Sequence, residues 1–353
     1  MTTTQYTEEA VALLQHLIAT PSVSRDERRA ADIMYDELKR LGFTPQREAN
    51  NVWAEGPSLL PQRPTLLLNA HIDTVRPVAS YTRNPYEPSL EGDVLYGLGS
   101  NDCGGGLVAL LQAFRHLAAD GACPYNLVFL ASAEEEVSGK DGISRALPLL
   151  PHIDVAIVGE PTGMQPAVAE KGLMVVDVTA RGKSGHAARA EGVNALYEAL
   201  DDLCWMRSYR FDRVSPFLGE TKMQATVINA GTQHNVVPDV CKIVVDVRTN
   251  ELYTNEEVLA LMQRHCKSQC VARSFRLHSS SIDLRHPLVQ RCLALGMTPF
   301  GSPTLSDQAL MPFPSLKLGP GQSARSHSAD EFIRVSEIGQ AISTYIQLLG
   351  AQG

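Results

Sequence analysis

Ionisable side chains follow the ends of short apolar segments in this 353-residue sequence. They are His71 and Asp73 after LLLNA (66–70), Glu134, Glu135 and Glu136 after NLVFLAS (126–132), Glu160 after VAIVG (155–159), and His327 in the loop after SLKLG (315–319). Continuous apolar segments of this length are typical of strands buried on both faces, as in a parallel sheet. Because ligands of open α/β sheets bind beyond the carboxyl ends of the strands, we expect these imidazoles and carboxylates to share one crevice.

Asp102 adds another carboxylate, in the stretch YGLGSNDCGGG. The stretch superficially resembles a dinucleotide-binding fingerprint, but Asp102 stands where the third glycine belongs and would repel a phosphate. We expect instead that Gly104–Gly106 allow a tight turn into a helix while Asp102 faces a cation.

Two histidines and at least three carboxylates form a nitrogen and oxygen ligand set that suits zinc, with cobalt or manganese as substitutes. Taken singly, a histidine at a strand end is usually a surface group, and a glutamate triplet is usually a solvated turn. The coincidence of all these segments with strand ends favours a metal site. The set is richer than one open catalytic site needs, whereas two bridged metals would use it all. Asp73 is placed to orient a ligating His71.

The surrounding pattern predicts the elements that hold these residues. Helices are expected at 7–18, with Thr7 as N-cap, at 26–41, with Gly42 as the stop, and across GGGLVALLQAFRHLAA. The middle of the chain reads β-α-β-β-α-β, with strands at 172–181, 222–229, 241–248 and 271–278 and helices at 193–206 and 255–267. The prediction is therefore an α/β domain (1–171 and 280–353), with a mostly parallel sheet flanked by helices, and an inserted ferredoxin-like α+β domain (172–279).

The bulk composition narrows the class of protein. A formal net charge of −8, from 39 acidic and 31 basic residues, argues against nucleic acid or an anionic membrane as partner. The N-terminal segment lacks the pattern of a signal peptide, and no apolar run is long enough to span a membrane. Seven cysteines without a C-x-x-C pair favour reduced thiols over a disulfide framework. We expect a cytoplasmic protein.

In their order along the chain, HIDTV, GSND-x-GG, AEEE-VSG, GEPT and SHSADE resemble the motifs of the co-catalytic zinc aminoacylase and carboxypeptidase family. Acetylornithine deacetylase, succinyl-diaminopimelate desuccinylase, aminoacylase and carboxypeptidase G are members. The resemblance spans roughly residues 5 to 350. It implies a zinc-exopeptidase-like fold, two zinc ions per subunit, and an inserted domain that serves as lid and forms a homodimer.

The resemblance also implies roles for individual residues. His71 would bind one zinc, Asp102 would bridge both, Glu136 and Glu160 would each bind one, and His327 would complete the second. Glu135 matches the family's general base, and Asp73 its supporting carboxylate. In the inserted domain, KSGHAA, NVVPD and VDVR place His186, Asn235 and Arg248 as substrate contacts, with His186 reaching a neighbouring active site. Arg325, two residues before His327, is a further candidate for binding a substrate carboxylate.

These roles predict metal-dependent hydrolysis of an N-acyl amino acid, and AEEEVSGKDG and GPGQSARSHSADEF look most like the acetylornithine deacetylase branch. The expected reaction is the conversion of N-acetylornithine to ornithine and acetate, a step of arginine biosynthesis. N-acetylcitrulline, N-succinylornithine and dipeptides remain alternative substrates. One departure is Gly104, where many relatives carry a lysine, and it bears on the substrate rather than on the metal ligands.

Two other classes of function are disfavoured. A serine hydrolase built on Ser184 and His186 would lack the G-x-S-x-G elbow, and the two residues are too close in sequence for an ordinary triad pair. A non-catalytic, metal-free scaffold would be expected to have lost ligands or the base, and every one is present.

Overall fold

The structure is a computed structural model that describes residues 2–57, 59–121 and 123–351. The chain divides into two compact units. The first comprises the residues up to Val168, Ile282–Phe300 and the residues from Ser306 onward; the second comprises Ala169–Ser281 and Gly301–Leu305. The predicted inserted segment, 172–279, falls within the second unit, and its role as a lid stays a prediction.

The helices are α1 (Thr3–Ile18), α2 (Arg28–Arg40), α3 (Gly105–Asp120), α4 (Ile143–Ala146), α5 (Ala195–Ser208), α6 (Asn255–His265), α7 (Pro287–Ala294) and α8 (Val335–Leu349). The strands are β1 (Gln46–Glu48), β2 (Asn51–Glu55), β3 (Thr65–His71), β4 (Ser89–Glu91), β5 (Val94–Tyr96), β6 (Asn126–Ser132), β7 (Val155–Val158), β8 (Ala167–Glu170), β9 (Met174–Arg181), β10 (Gly185–His186), β11 (Lys222–Ala230), β12 (Val236–Val237), β13 (Val240–Arg248), β14 (Gln269–Ala272), β15 (Ser280–Ser281), β16 (Phe300–Ser302), β17 (Ser315–Lys317) and β18 (Phe332–Arg334).

The first unit is built on a sheet with the strand order β1-β2-β6-β3-β7-β17-β8. Its central strands β6, β3, β7 and β17 are mutually parallel, while β1, β2 and β8 join antiparallel. Every residue of β3 and β6 is buried, and helices α1, α3 and α8 pack together in the same unit. The mostly parallel, two-side-buried sheet is thus confirmed, and the carboxyl ends of β3, β6 and β7 meet at one edge.

The second unit contains an antiparallel sheet in the order β11-β13-β9-β14. Helices α5 and α6 separate its strands along the chain, so the predicted ferredoxin-like connection is confirmed. Strand β9 alternates buried and half-buried residues, and its buried side chains share a core with β13 and α6. A short ladder of β10 and β12 pairs His186 with Val236.

Two elements, α1 and β14, differ most from the sequence predictions. Helix α1 begins one turn earlier than expected, because Thr2 and Gln5 form a capping box in which each side chain bonds the other's backbone N–H. Thr7 is therefore not the N-cap, and its hydroxyl donates to the Thr3 carbonyl oxygen. Strand β14 occupies 269–272 rather than 271–278, since its pairing with β9 ends at Ala272.

Helix α2 ends as predicted, with Gly42 in a left-handed conformation (φ +89°) after the last turn. Across the part of the chain that the structure describes, no helix is both long and apolar enough to cross a membrane.

Candidate metal centre

His71 is the last residue of β3 and is almost completely buried. Its Nδ1 lies 2.8 Å from the main-chain oxygen of Asp73 and 3.5 Å from the Asp73 carboxylate. When Nδ1 carries the proton, it donates to this carbonyl, and Nε2 is left as the free lone-pair donor. Asp73 therefore contacts His71 as expected, with its backbone oxygen as the nearer partner, and its role in orienting a metal ligand stays a prediction.

The Asp73 carboxylate holds the turn that follows β6. It accepts hydrogen bonds from the backbone N–H groups of Glu135 (3.0 Å) and Glu136 (3.2 Å) and from the Ser24 hydroxyl (2.7 Å). Burial alone would raise the pKa of Asp73, but the hydrogen bonds from His71, Ser24 and the Glu135 backbone hold it below its usual value. Asp73 is thus an ionised anchor that joins the end of β3 to the glutamates.

Asp102 lies between the two histidines. Its Oδ1 is 3.3 Å from His71 Nε2, and its Oδ2 is 3.6 Å from His327 Nε2. It occupies an irregular turn, Ser100–Gly104, that leads into α3, and the peptide bond to Cys103 is cis. One carboxylate that offers one oxygen to each side is the arrangement that a bridging ligand requires.

The glycines after Asp102 serve close packing rather than an unusual backbone conformation. A Cβ at Gly106 would lie 1.7 Å from the carbonyl oxygen of Gly159, at the end of β7. Helix α3 therefore begins in direct contact with the strand end that precedes Glu160. The expected tight turn into the helix is present, and it depends on space rather than on positive φ, since a Cβ at Gly104 would lie 2.4 Å from the Gly99 carbonyl oxygen.

Two of the three glutamates after β6 lie near a histidine. Glu136 lies against His327, with 2.9 Å between Oε2 and Nε2, and Glu135 Oε2 is 4.0 Å from His71 Nε2. Glu134 starts the turn in a left-handed conformation (φ +54°) and points elsewhere, and its Oε2 accepts from the Asp141 N–H at 3.4 Å. The turn thus directs only the second and third glutamates at the histidines.

Glu160 follows β7 and faces His71, with Oε1 3.6 Å from Nε2. This oxygen is buried and has no hydrogen-bond partner among the described residues. A buried carboxylate oxygen without a donor is costly unless a cation satisfies it. The environment of Glu160 therefore fits a metal ion.

The donor atoms are close enough to share ions. Those of His71, Asp102 and Glu136 all lie within 4.8 Å of one another, and so do those of His71, Cys103 and Glu160. Asp102 and Glu160 approach His71 Nε2, whereas Asp102 and Glu136 approach His327 Nε2. Imidazole nitrogens and carboxylate oxygens are ligands that zinc accepts.

Several ionisable groups of the cluster have raised pKa values. Burial, reinforced by Asp102, raises the pKa of Glu160 to about 8. Burial and the nearby Glu160 and Asp307 carboxylates raise the pKa of Glu135 well above its ordinary value. The Glu136 contact raises the pKa of His327 to about 9. Without cations, the site keeps protons that metal ions would replace.

Two buried carboxylates near the cluster were not predicted. Glu331 accepts three backbone N–H bonds from the Asp102 turn, and Asp307 accepts the Ser132 hydroxyl at the end of β6 at 2.6 Å. Burial raises the pKa of each to about 7. Because Glu331 belongs to the SHSADE motif, its place near the site could have been predicted from the sequence. Asp307 follows no apolar run, and no sequence pattern pointed to it.

The remaining predicted residues lie apart from these contacts. His186 and Asn235 are together in the second unit, where the Asn235 carbonyl accepts the Ala187 N–H at 2.9 Å. Arg248, also in that unit, pairs with Asp246 at 2.8 Å. In the first unit, Arg325 binds both carboxylate oxygens of Glu337, at 2.7 and 3.0 Å, and lies over the ring of Phe332. Their substrate roles stay predictions, and that of Arg325 would require the Glu337 pair to open.

Comparisons with known proteins agree with this geometry. The profile of Peptidase family M20/M25/M40 matches residues 67–351. The succinyl-diaminopimelate desuccinylase of Caulobacter sp. (strain K31) is 29% identical in an alignment of 289 residues that covers 77% of this chain and 73% of that protein.

Solved structures share the fold at low sequence identity. Aminopeptidase PepT from Bacillus cereus ATCC 10987 aligns with a TM-score of 0.76 and 18% identity, covering 97% of this chain and 98% of that one. The Bacillus subtilis YXEP protein, described as a dinuclear metal binding peptidase from the M20 family, aligns with a TM-score of 0.74 and 16% identity, covering 98% of each chain.

Proposed function

Because the chain belongs to peptidase family M20/M25/M40, we propose that it is a dinuclear zinc hydrolase that cleaves the N-acyl amide of an amino acid. The carrying observation is Asp102, which offers one carboxylate oxygen to His71 and the other to His327. His71 and Glu160 would hold one ion, Glu136 and His327 the other, and Asp102 both. Cobalt or manganese would be accepted by the same ligands.

Bound there, two metal ions supply a water of lowered pKa and polarise the acyl carbonyl. As general base, the Glu135 carboxylate would accept a proton from the attacking water and would then donate it to the departing amine. Burial raises the pKa of Glu135 well above its ordinary value, which suits the second step, because a carboxyl that keeps a proton more readily can deliver it to the amine. Asp73 holds the Glu135 backbone and so fixes where this carboxylate stands.

His186 is the candidate for stabilising the oxyanion that forms on the acyl carbonyl. Its Nδ1 accepts the Ala188 N–H at 3.1 Å, which leaves the proton on Nε2 of the exposed ring. An Nε2–H group directed at the developing charge would donate a hydrogen bond in the transition state. Asn235, beside it, and Arg248 would bind the polar groups of the amino-acid part.

The second unit would also form a homodimer, from which His186 would serve the neighbouring subunit. In support, β11 is an edge strand of its sheet, and Val227 and Ile228 on it are 46% and 50% exposed. An unpaired apolar edge is the kind of surface that a second chain can continue.

Among substrates, N-acetylornithine is proposed first, because the motifs AEEEVSGKDG and GPGQSARSHSADEF are most like those of that branch. N-succinyl amino acids are the second candidate, favoured by the desuccinylase relative of Caulobacter. Dipeptides are third, by analogy with the peptidases among the solved structures.

The test is amine release by the zinc-loaded protein from N-acetylornithine, N-acetylcitrulline, N-succinylornithine, N-succinyl-diaminopimelate and an unacylated dipeptide. Glu135→Gln should lower kcat by about 10²–10⁴-fold with its zinc content unchanged. Glu134→Gln is the matched control, since its side chain faces away, and it should retain activity. If only the dipeptide is hydrolysed, the protein is a peptidase and the proposed deacylase activity is wrong. An equal loss of kcat in both glutamate variants would contradict the assignment of Glu135 as the general base.

A further inference from the structure

Two loops that carry candidate ligands are joined by side chains that do not themselves face the ions. The first loop, residues 97–102, ends at Asp102. The second loop, residues 319–331, contains His327. Asn101 and Glu331, 0% and 1% exposed, connect these loops through hydrogen bonds. We call this set of contacts the loop clasp.

Glu331 gives the clasp its first half. Its Oε1 accepts the N–H groups of Asn101 (2.8 Å) and Asp102 (2.9 Å), and its Oε2 accepts that of Gly99 (3.0 Å). The Glu331 main chain also accepts the Gly97 N–H at 2.9 Å. A carboxylate that accepts three backbone N–H groups within four residues fixes the path of the backbone up to the candidate bridging residue.

The side chain of Asn101 forms the second half of the loop clasp, and it binds the loop that contains His327. Its Nδ2 donates to the Gln322 carbonyl (3.1 Å) and to the Ser326 hydroxyl (3.2 Å), and its Oδ1 accepts the Gln322 N–H (3.0 Å). A Cβ at Gly321 would lie 2.2 Å from this oxygen, so the loop can approach only with glycine there. Asn101 thus fixes the residues directly before His327.

The candidate ligands differ in what else holds them. His71 ends a strand paired on both sides, and Glu160 follows β7, which is paired on both sides too. Asp102 and His327 lie on the two loops, and His327 has a left-handed backbone (φ +55°) and a side chain 54% exposed. The spacing of Asp102 and His327 therefore depends on the clasp, whereas that of His71 and Glu160 depends on the sheet.

We infer that Asn101 and Glu331 are positioning residues that set the spacing of Asp102 and His327, and so govern the ion beside Glu136 and His327 more than the ion beside His71 and Glu160. The inference rests on the proposed two-metal site. Residues that orient metal ligands typically change metal affinity by about 10–100-fold when they are replaced.

The experiment is calorimetric titration of the chelator-treated, full-length protein with zinc, which reads the two affinities separately without reference to activity. Glu331→Gln keeps the shape of the side chain, but its amide group must face at least one N–H donor, so it loses part of the clasp. Asn101→Ala removes the other half. Asp202→Asn is the matched control, because Asp202 is a buried carboxylate that accepts two backbone N–H groups, those of Lys267 and Ser268, in the second unit.

We expect the wild type and Asp202→Asn to bind two ions alike. In both clasp variants one ion should lose about 10–100-fold in affinity while the other changes little. Equal weakening of both ions, or no change in either, would overturn the positioning role. A wild type that binds fewer than two ions would instead overturn the dinuclear proposal, and the role of the clasp with it. Circular dichroism of each variant in chelator separates these outcomes from misfolding.

Discussion

In the first unit, β3 and β6 are buried over their whole length, whereas in the second unit β9 alternates between buried and half-buried residues and β11 is exposed from Gln224 to Asn229. The central strands β3 and β6 of the first sheet thus have only their ends free, and imidazoles and carboxylates lie at the carboxyl ends. The second sheet has a free edge. The comparison teaches that a strand buried along its length is accessible to another molecule only at its ends, whereas an exposed edge strand is accessible along its whole length.

The largest effect is expected from Asp102→Ala at the strand ends of the first sheet. Loss of the carboxylate whose two oxygens approach His71 and His327 should lower kcat/KM on the order of 10³-fold and reduce the bound zinc. Steady-state kinetics and metal analysis measure the two losses. Asp177→Ala on the second sheet removes a surface pair with Arg273 and should change neither, so a comparable loss there would break the comparison.

The free edge of the second sheet predicts a smaller effect, on assembly. Val227→Lys on β11 should weaken a dimer at least about tenfold, or 1.4 kcal/mol, because lysine on an edge strand opposes pairing with another chain. Val271→Lys on β14 is the matched control, since Val271 is 50% exposed on the opposite edge. Sedimentation equilibrium measures both, and equal weakening by the two variants would remove the distinction between the edges.

A third prediction concerns pH and the metal-free protein. The pKa values of Glu160, Asp307 and Glu331 are raised to about 8, 7 and 7, and that of His327 to about 9. The folded chain therefore binds more protons than the unfolded chain, whose carboxyls titrate near pH 4, and the free energy of unfolding falls as pH rises. In chelator, Tm should fall by about 5 °C between about pH 5 and pH 8.

Zinc should remove most of this slope, because the cations take the place of the retained protons. Scanning calorimetry with and without zinc provides the measurement. A metal-free protein that gains stability with rising pH over this interval would contradict the prediction.

The smallest effect is expected at the start of α6 in the second unit, where Thr254 and Glu257 form a capping box. Thr254→Ala should cost about 1 kcal/mol of unfolding free energy, with unchanged zinc affinity. Glu256→Ala, in the same turn but outside the box, should cost less. Urea denaturation of the three proteins measures the difference, and a loss of zinc binding in Thr254→Ala would mean that the units are not independent in this respect.

The sheet and the cluster of strand-end ligands could be predicted because each rests on local pattern. Buried strands read as continuous apolar runs, and the rule that ligands bind beyond their carboxyl ends needs no knowledge of contacts. His71, Glu136 and Glu160 are brought together for that reason. The order of strands and helices in the second unit was predictable in the same way.

Long-range contacts could not be predicted from one sequence. Asn101 binds Ser326 across 225 positions and Asp307 binds Ser132 across 175, and no periodicity records such pairs. Gly106 was identified, but its reason, contact with Gly159, lies in another segment. The start of α1 was missed for a different reason: Thr2 and Thr7 are both suitable caps, and only the capping box with Gln5 decides between them.

The position of β17 has a consequence for synthesis of the chain. It pairs in parallel with β7, yet the whole of the second unit's main segment, Ala169–Ser281, is translated between the two strands. A growing polypeptide that ends before β17 leaves one side of β7 without its parallel neighbour and has no His327. The candidate site therefore cannot be complete until both β17 and His327 have been synthesised.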